Sequence, residues 1–167
     1  MQIRLAGVDD CEIVAILVHE LIAELTAPQS MNVALHGLVE TARDLLGGST
    51  VWALLGETSA GDGAAVLTLN ECAAIYAGGR FGEISELFVR PSFRHQGLGE
   101  RLVAAAVEFG QSRSWTRLEV GAPPRPAWER TFAFYRRHGF TDVGPRLKRP
   151  LWPRFRRTIR GAVAGGR

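Results

Sequence analysis

The segment ELFVRPSFRHQGLGERLVAAAVEF, residues 86–109, joins a strand-like apolar run to a helical run through a glycine-containing turn. Apolar residues alternate up to Val89, and from Leu98 to Phe109 they recur at the three- and four-residue spacing of an amphipathic helix. Gly97 and Gly99 in the turn permit a left-handed backbone and a close approach to a ligand. A strand, a tight turn and a helix in this order predict a helix that packs on a sheet.

The other apolar patterns predict one α/β (α+β) domain, a mixed sheet with helices on both faces. Strands are expected at 3–5, 51–56, 64–76, 81–89 and 117–120, with weaker strand signals around 140–151. Besides the helix at 98–109, helices are expected from a capping box at residues 9–12 to the residues before Pro28, from Asn32 to Leu46, and from Pro126 to His138.

The strand at 81–89 contains a change of phase. Ile84 lies at the opposite parity to Leu87 and Val89, although all three are apolar. A β-bulge near Ser85–Glu86 would bring them to one face, and bulges often re-aim side chains beside active sites. A strand buried on both faces would show the same pattern without a bulge, so the pattern by itself leaves both interpretations open.

Composition argues against several classes of protein. The 167 residues are 46% hydrophobic and 22% charged, as in soluble globular domains. No apolar run approaches the roughly 20 residues of a membrane span, and no secretory signal pattern is present, so we expect no membrane partner. Cys11 and Cys72 match no disulfide framework or zinc pattern, which predicts no metal site and a cytoplasmic location.

The net charge of +3 belongs to the end of the chain. Residues 145–167 hold eight Lys or Arg and no acidic residue, whereas residues 1–144 hold 12 basic and 17 acidic groups. We expect a domain over residues 1–150 and a basic, flexible tail over residues 151–167. Because the body is acidic, we do not expect nucleic acid as a partner; salt-dependent binding of DNA or RNA would indicate otherwise.

Two motifs resemble the signature of the GNAT superfamily of acyl-coenzyme A-dependent N-acetyltransferases. The first combines L-x-V-x-P with R/Q-x-x-G-x-G/A and is matched by Leu87, Val89, Pro91, Arg94, Gly97 and Gly99. The second, F-Y-x-x-x-G-F, is matched by Phe134, Tyr135, Gly139 and Phe140. The resemblance covers residues 1–150 and implies the family's fold, a mostly antiparallel mixed sheet with helices on both faces, and acetyl-coenzyme A as cosubstrate.

The resemblance also implies where acetyl-coenzyme A is held. The pyrophosphate would lie on the turn formed by Arg94, His95, Gln96, Gly97, Leu98, Gly99 and Glu100. The pantetheine arm would pair with the main chain of Leu87, Phe88 and Val89, where an amide would polarise the thioester carbonyl. The local physics agrees, because the unpaired N–H groups at a helix N-terminus favour an anion.

Candidates for the chemistry follow from the same resemblance. Tyr135 would protonate the departing thiolate or hydrogen-bond to it, with core packing as the alternative; a phenol of pKa ~10 can protonate a thiolate whose conjugate acid has a pKa near ~8.5. Glu86, or failing that Glu83, would take the proton from the amine, although a protein base is not required. Glu71 is a candidate for binding a cationic acceptor, but a solvated carboxylate is the simpler interpretation.

These residues predict an enzyme that transfers an acetyl group directly from acetyl-coenzyme A to the primary amine of a small molecule or peptide. The alternative is an acyl-coenzyme A-binding regulatory or sensor protein with weak or no turnover. The expected partners are the amine acceptor and, in a homodimer, a second copy of the chain.

Overall fold

The computed structural model describes residues 1–26, 34–121 and 128–144. Within them the helices and strands are β1 (Gln2–Leu5), α1 (Cys11–Leu25), α2 (Leu35–Leu46), β2 (Val51–Glu57), β3 (Gly63–Ala74), β4 (Gly79–Val89), α3 (Leu98–Ser112), β5 (Leu118–Val120) and α4 (Glu129–Arg137). The strands form one sheet in the order β1-β2-β3-β4-β5. Neighbouring strands are antiparallel except β4 and β5, which are parallel. The predicted mixed, mostly antiparallel sheet is confirmed.

Buried apolar side chains cover both faces of the sheet. The cluster under α3 includes Leu67, Ile84, Leu98, Leu102 and Ala106. The cluster under α1 includes Val14, Leu17, Leu55, Val66 and Phe88. Removing a Leu or Val side chain from water stabilises the fold by about 1.5–3 kcal/mol, so each cluster holds its helices to the sheet. Helices on both faces, as predicted, therefore follow from two apolar faces on the central strands.

Of the two interpretations that the sequence left open for β4, the bulge near Ser85–Glu86 is the one present in the structure. Leu67 of β3 faces Leu87, whereas Leu69 faces Ile84, so one residue of β3 opposes two residues of β4. The extra residue places Ile84 and Leu87 on the same face of the sheet, where both pack against the cluster under α3. The apolar pattern of β4 is thus explained by the bulge.

The start of α1 differs from its prediction. The capping box expected at residues 9–12 is wrong, because a 3₁₀ turn, Val8–Asp10, precedes the helix. The Asp10 carboxylate accepts the Gly7 N–H at 2.8 Å and also two N–H groups of Arg4, each at 2.8 Å. The Asp10 carboxylate thus closes the 3₁₀ turn through the Gly7 N–H, and α1 begins without a side-chain cap hydrogen bond.

Several expected boundaries lie outside the described residues. These are the helix starts at Asn32 and Pro126, the strand signals beyond residue 144, the domain end at residue 150 and the tail at 151–167. The structure describes α2 from Leu35 and α4 from Glu129, and it has no strand between residues 140 and 144.

Candidate active site

The turn between β4 and α3 leaves space against its backbone. Gly97, which precedes α3, has a φ of 74°, a left-handed value that disfavours residues with a Cβ. A Cβ placed on Gly97 would have no heavy atom within 4 Å, so the glycine is required by the backbone and borders open space. The N–H groups of the first turn of α3 have no intrahelical acceptors. This surface can therefore accept an anionic group.

Two arginines tie this turn to α1. Arg94 donates from Nε to the Val89 carbonyl at 2.8 Å and from Nη2 to Glu24 at 2.6 Å. Arg90 donates to both carboxylate oxygens of Glu20, at 2.9 and 2.7 Å. Glu20 and Glu24 lie one helical turn apart on α1. The two ion pairs therefore hold α1 against the loop between β4 and α3. The positive charge of Arg94 is thus shared with a carboxylate.

The other residues predicted to hold acetyl-coenzyme A surround the same turn with different exposure. Three of them have exposed side chains, namely His95, Gln96 and Glu100. Three others are half-buried, namely Leu87, Val89 and Gly99. Phe88 and Leu98 are buried in the two apolar clusters on opposite faces of the sheet. At these two positions, therefore, mainly main-chain atoms are available to a ligand.

The bulge directs Glu86 to the face of the sheet covered by α1 and α2. There Glu86 lines a cavity of about 170 Å³ between these helices and the sheet. The Thr68 hydroxyl accepts the Glu86 N–H at 3.1 Å and donates to the Glu86 carboxylate. Burial raises the pKa of Glu86, and the charge of Glu83 raises it further. Glu86 is consequently a stronger base than an exposed glutamate.

Sequence reasoning missed Thr68. It is buried in β3, where every residue from Gly63 to Leu69 is buried, and it lies opposite the bulge. A single hydroxyl within an apolar strand is the signal that could have identified it, because a buried polar group requires partners.

Glu83 occupies a different environment from Glu86. Its register partners are Asn70 of β3 and Glu119 of β5, and Cys72 Sγ lies 3.9 Å from its carboxylate. Glu83 and Tyr135 both line an open groove along β5. The structure therefore brings Glu83 and Tyr135 to one groove and places Glu86 in a separate cavity.

Tyr135 lies on α4 in an aromatic environment. Its ring centroid is 5.3 Å from that of Phe134 and 5.4 Å from that of Phe140, both edge-to-face. The residue is only 7% exposed, and burial raises the pKa of Tyr135 to about 12. A Cβ on Gly99 would come within 3.6 Å of the Phe134 ring, so the second motif packs against the turn of the first.

The expectation of a solvated carboxylate at Glu71 is wrong. Its side chain is 7% exposed and accepts hydrogen bonds from Trp115 Nε1 at 2.8 Å and from Arg113 Nη2 at 3.3 Å. It also pairs with Arg80. These partners, the Trp115 hydrogen bond first, lower the pKa of Glu71. Glu71 is therefore a buried carboxylate that joins β3 to residues after α3, not a solvated group.

Comparison with known proteins identifies the family. The model of the acetyltransferase (GNAT) domain matches residues 47–142, more than half of the chain. The chain belongs to the GNAT acetyltransferase family. This family uses acetyl-coenzyme A as cosubstrate. No curated protein matches the sequence.

Solved structures share the fold of this acetyltransferase. A putative acetyltransferase from Arthrobacter sp. FB24 is 26% identical, with a TM-score of 0.71 over 93% of this chain and 95% of the other. A ribosomal-protein-alanine N-acetyltransferase from Brucella melitensis biovar Abortus 2308 is 19% identical, with a TM-score of 0.69 over 90% and 99%. An aminoglycoside acetyltransferase, meta-AAC0020, from an uncultured soil metagenomic sample, solved with sisomicin, is 16% identical, with a TM-score of 0.74 over 90% and 96%.

The described residues of the acetyltransferase contain no group of three or more His, Cys, Asp or Glu side chains placed to hold a metal ion. Their helices include none with the length and apolar character needed to cross a membrane.

Proposed function

We propose that the protein transfers the acetyl group of acetyl-coenzyme A directly to the primary amine of a small molecule or peptide. The observation that carries the proposal is the environment of Glu86. A bulge directs this carboxylate into a cavity, burial raises its pKa, and the Thr68 hydroxyl orients it. The next residues, Leu87–Val89, end the strand that leads to the glycine turn.

Glu86 serves as the base in this proposal. An alkylammonium group has a pKa near ~10.4 and must lose a proton before its nitrogen can attack. The carboxylate takes that proton, directly or through water, and its raised pKa reduces the energetic disadvantage of the transfer. The nitrogen lone pair then forms a bond to the thioester carbonyl carbon, the C–S bond breaks, and the sulfur leaves with the bonding electrons. The nitrogen, which carries a positive charge after the attack, loses its second proton to solvent and becomes the amide nitrogen.

The glycine turn and the end of β4 bind and polarise the donor. Main-chain N–H groups at the start of α3 take the pyrophosphate, and Gly97 leaves the backbone open to it. A main-chain N–H at the end of β4 donates to the carbonyl oxygen as negative charge develops there. Arg94 contributes charge next to the turn while Glu24 and the Val89 carbonyl hold its guanidinium in place.

Tyr135 acts on the leaving sulfur. With a pKa of about 12 the phenol stays protonated at neutral pH. A thiol has a pKa near ~8.5, so complete proton transfer from Tyr135 to the thiolate would be uphill. Donating a hydrogen bond to the sulfur as charge develops is therefore the better-matched role, and solvent supplies the final proton.

The test is release of free thiol from acetyl-coenzyme A with a panel of primary amines, together with mass analysis of the acetylated product. We expect amine-dependent release that Glu86→Gln slows without weakening the binding of acetyl-coenzyme A. Binding of acetyl-coenzyme A with no acceleration by any amine would instead support an acyl-coenzyme A-binding sensor or regulatory protein.

We also propose a cytoplasmic location. Cys11 and Cys72 form no disulfide in the structure. Cysteines outside disulfides are typical of reducing compartments such as the cytoplasm.

A further inference from the structure

The cavity beside Glu86 has apolar walls. The helices and strand around it contribute Val14, Ala15, Val18, Leu38, Ala42, Leu45, Leu46 and Val51. The remaining described lining residues are polar, namely Thr41, Thr68, Asn70, Ser85 and Glu86. Apolar walls around a few polar groups are typical of a small-molecule pocket, in which the polar groups orient the ligand.

The charge in this cavity suits one ammonium group. Glu86 is the single charged side chain among the described residues that line it. Three of the other polar side chains are already engaged, since Asn70 Nδ2 donates to Ser85 Oγ and the Thr68 hydroxyl binds Glu86. A second ammonium would lose its water without gaining an anionic partner, and burying an unpaired charge is strongly unfavourable.

The size of the cavity limits the group attached to the amine. Its volume is about 170 Å³. An apolar cavity of about 150 Å³ in another protein binds benzene, so this one has room for an aromatic ring or a short alkyl chain. Leu38 and Leu45, which are partly exposed, place the edge of the cavity on α2.

We infer that the acceptor is a monoamine whose amino group is attached to an apolar alkyl or arylalkyl group. Polyamines and aminoglycosides are then poor acceptors, because their additional ammonium groups would enter an apolar space to which the described residues contribute one carboxylate. This inference rests on the proposed acetyl transfer, with the cavity beside Glu86 as the acceptor pocket. The inferred acceptor differs from the ligand of meta-AAC0020, which shares the fold of this chain and was solved with an aminoglycoside.

The first experiment compares kcat/KM for ethylamine, butylamine, hexylamine, phenethylamine, putrescine, sisomicin and an alanyl peptide. Each added methylene should raise kcat/KM by about 4-fold until the chain fills the cavity, as expected for burial of a CH₂ group. Hexylamine and phenethylamine should exceed putrescine, sisomicin and the peptide by at least about 10-fold.

A variant of the cavity wall tests its location. Ala42→Leu narrows the cavity from α2 and should lower kcat/KM for hexylamine and phenethylamine by at least about 10-fold relative to ethylamine. The affinity for acetyl-coenzyme A should not change. Ala104→Leu makes the same substitution at an exposed position of α3 and should leave the ratios unchanged.

The outcomes separate the two proposals. If putrescine, sisomicin or the peptide is acetylated as well as hexylamine, the inference about the acceptor is overturned while the proposed transferase function stands. If kcat/KM does not rise from ethylamine to hexylamine, the cavity is not the acceptor pocket. The same holds if Ala42→Leu folds and leaves the kcat/KM ratios relative to ethylamine unchanged. If no amine is acetylated, the proposed function fails and the inference fails with it.

Discussion

Thr68 of β3 and Glu86 of β4 are joined across the bulge by two hydrogen bonds to one hydroxyl group. The hydroxyl accepts the Glu86 N–H at 3.1 Å and donates to the Glu86 carboxylate. A bulge leaves the extra residue of its strand without a backbone hydrogen-bond partner on the neighbouring strand. Here the Thr68 hydroxyl supplies a partner for the Glu86 N–H. Thr68 thus holds the bulge and orients the carboxylate that we propose as the base.

Thr68→Val should therefore affect both stability and the pH profile. Loss of the acceptor leaves the Glu86 N–H unsatisfied, which should lower the free energy of unfolding by about 1–3 kcal/mol. Loss of the donor removes stabilisation of the charged carboxylate, so the acid limb of the kcat profile should move to higher pH. Thr68→Ser keeps the hydroxyl and should restore the acid limb. A profile that does not move in Thr68→Val would contradict the positioning role.

Glu86→Gln should reduce kcat at neutral pH by about 10²–10⁴-fold, the usual contribution of a general base. Activity should recover at high pH, where more of the amine is already deprotonated. Glu83→Gln is the matched control on the same strand and should have a smaller effect. A larger loss in Glu83→Gln would reverse the assignment, and full activity in both variants would mean that solvent takes the proton.

The raised pKa of Glu86 also predicts a pH-dependent stability difference. A carboxyl whose pKa is higher in the folded state favours folding below its ordinary value of 4.5, and this contribution is lost as pH rises through the folded-state pKa. At neutral pH the buried charge is thus a cost that Glu86→Gln removes. Chemical denaturation should find the variant more stable than the parent protein at neutral pH, with the difference decreasing in acid. A pH-independent difference would show that the pKa is not raised.

Tyr135→Phe should preserve the fold, because the ring still packs against Phe134 and Phe140. We expect kcat to fall by about 10–100-fold, the value of a hydrogen bond to a charged group, with little change in acetyl-coenzyme A affinity. Tyr76→Phe is the matched control, since Tyr76 is 81% exposed. A fall beyond about 10³-fold would indicate full proton transfer by the phenol, and unchanged turnover would leave Tyr135 with a packing role.

Gly97→Asp should weaken the binding of acetyl-coenzyme A by at least about 10-fold in calorimetric titration, because it places a negative side chain where the phosphate is proposed to lie. Gly61→Asp provides a close control. Both glycines have left-handed φ values, 74° and 88°, and a Cβ on either would have no heavy atom within 4 Å. Both variants should therefore lose about 1–2 kcal/mol of stability from the backbone, and equal affinities would refute the turn as the phosphate site.

Local patterns were enough to predict the order of strands and helices, and they offered a bulge near Ser85–Glu86 as one of two interpretations of β4. Ile84 and Leu87 are three residues apart, so a regular strand would place their side chains on opposite faces of the sheet. An extra residue between them brings both side chains to one face. The two motifs likewise placed the glycine turn and Tyr135 on adjacent parts of the fold. Such features depend on side-chain periodicity and backbone freedom, which a short stretch of chain carries by itself.

Only the tertiary structure decided the partners of the charged groups. Glu71 pairs with Trp115, which lies 44 residues away in the sequence, and Arg94 pairs with Glu24, which lies 70 residues away. By itself the sequence determined that a glycine turn leads into α3, whereas the register between β3 and β4 decided that a bulge interrupts β4. Whether a carboxylate is solvated, paired or buried beside a cavity depends on side chains that only the folded sheet and helices bring together, because its pKa is set by burial and by the charges around it.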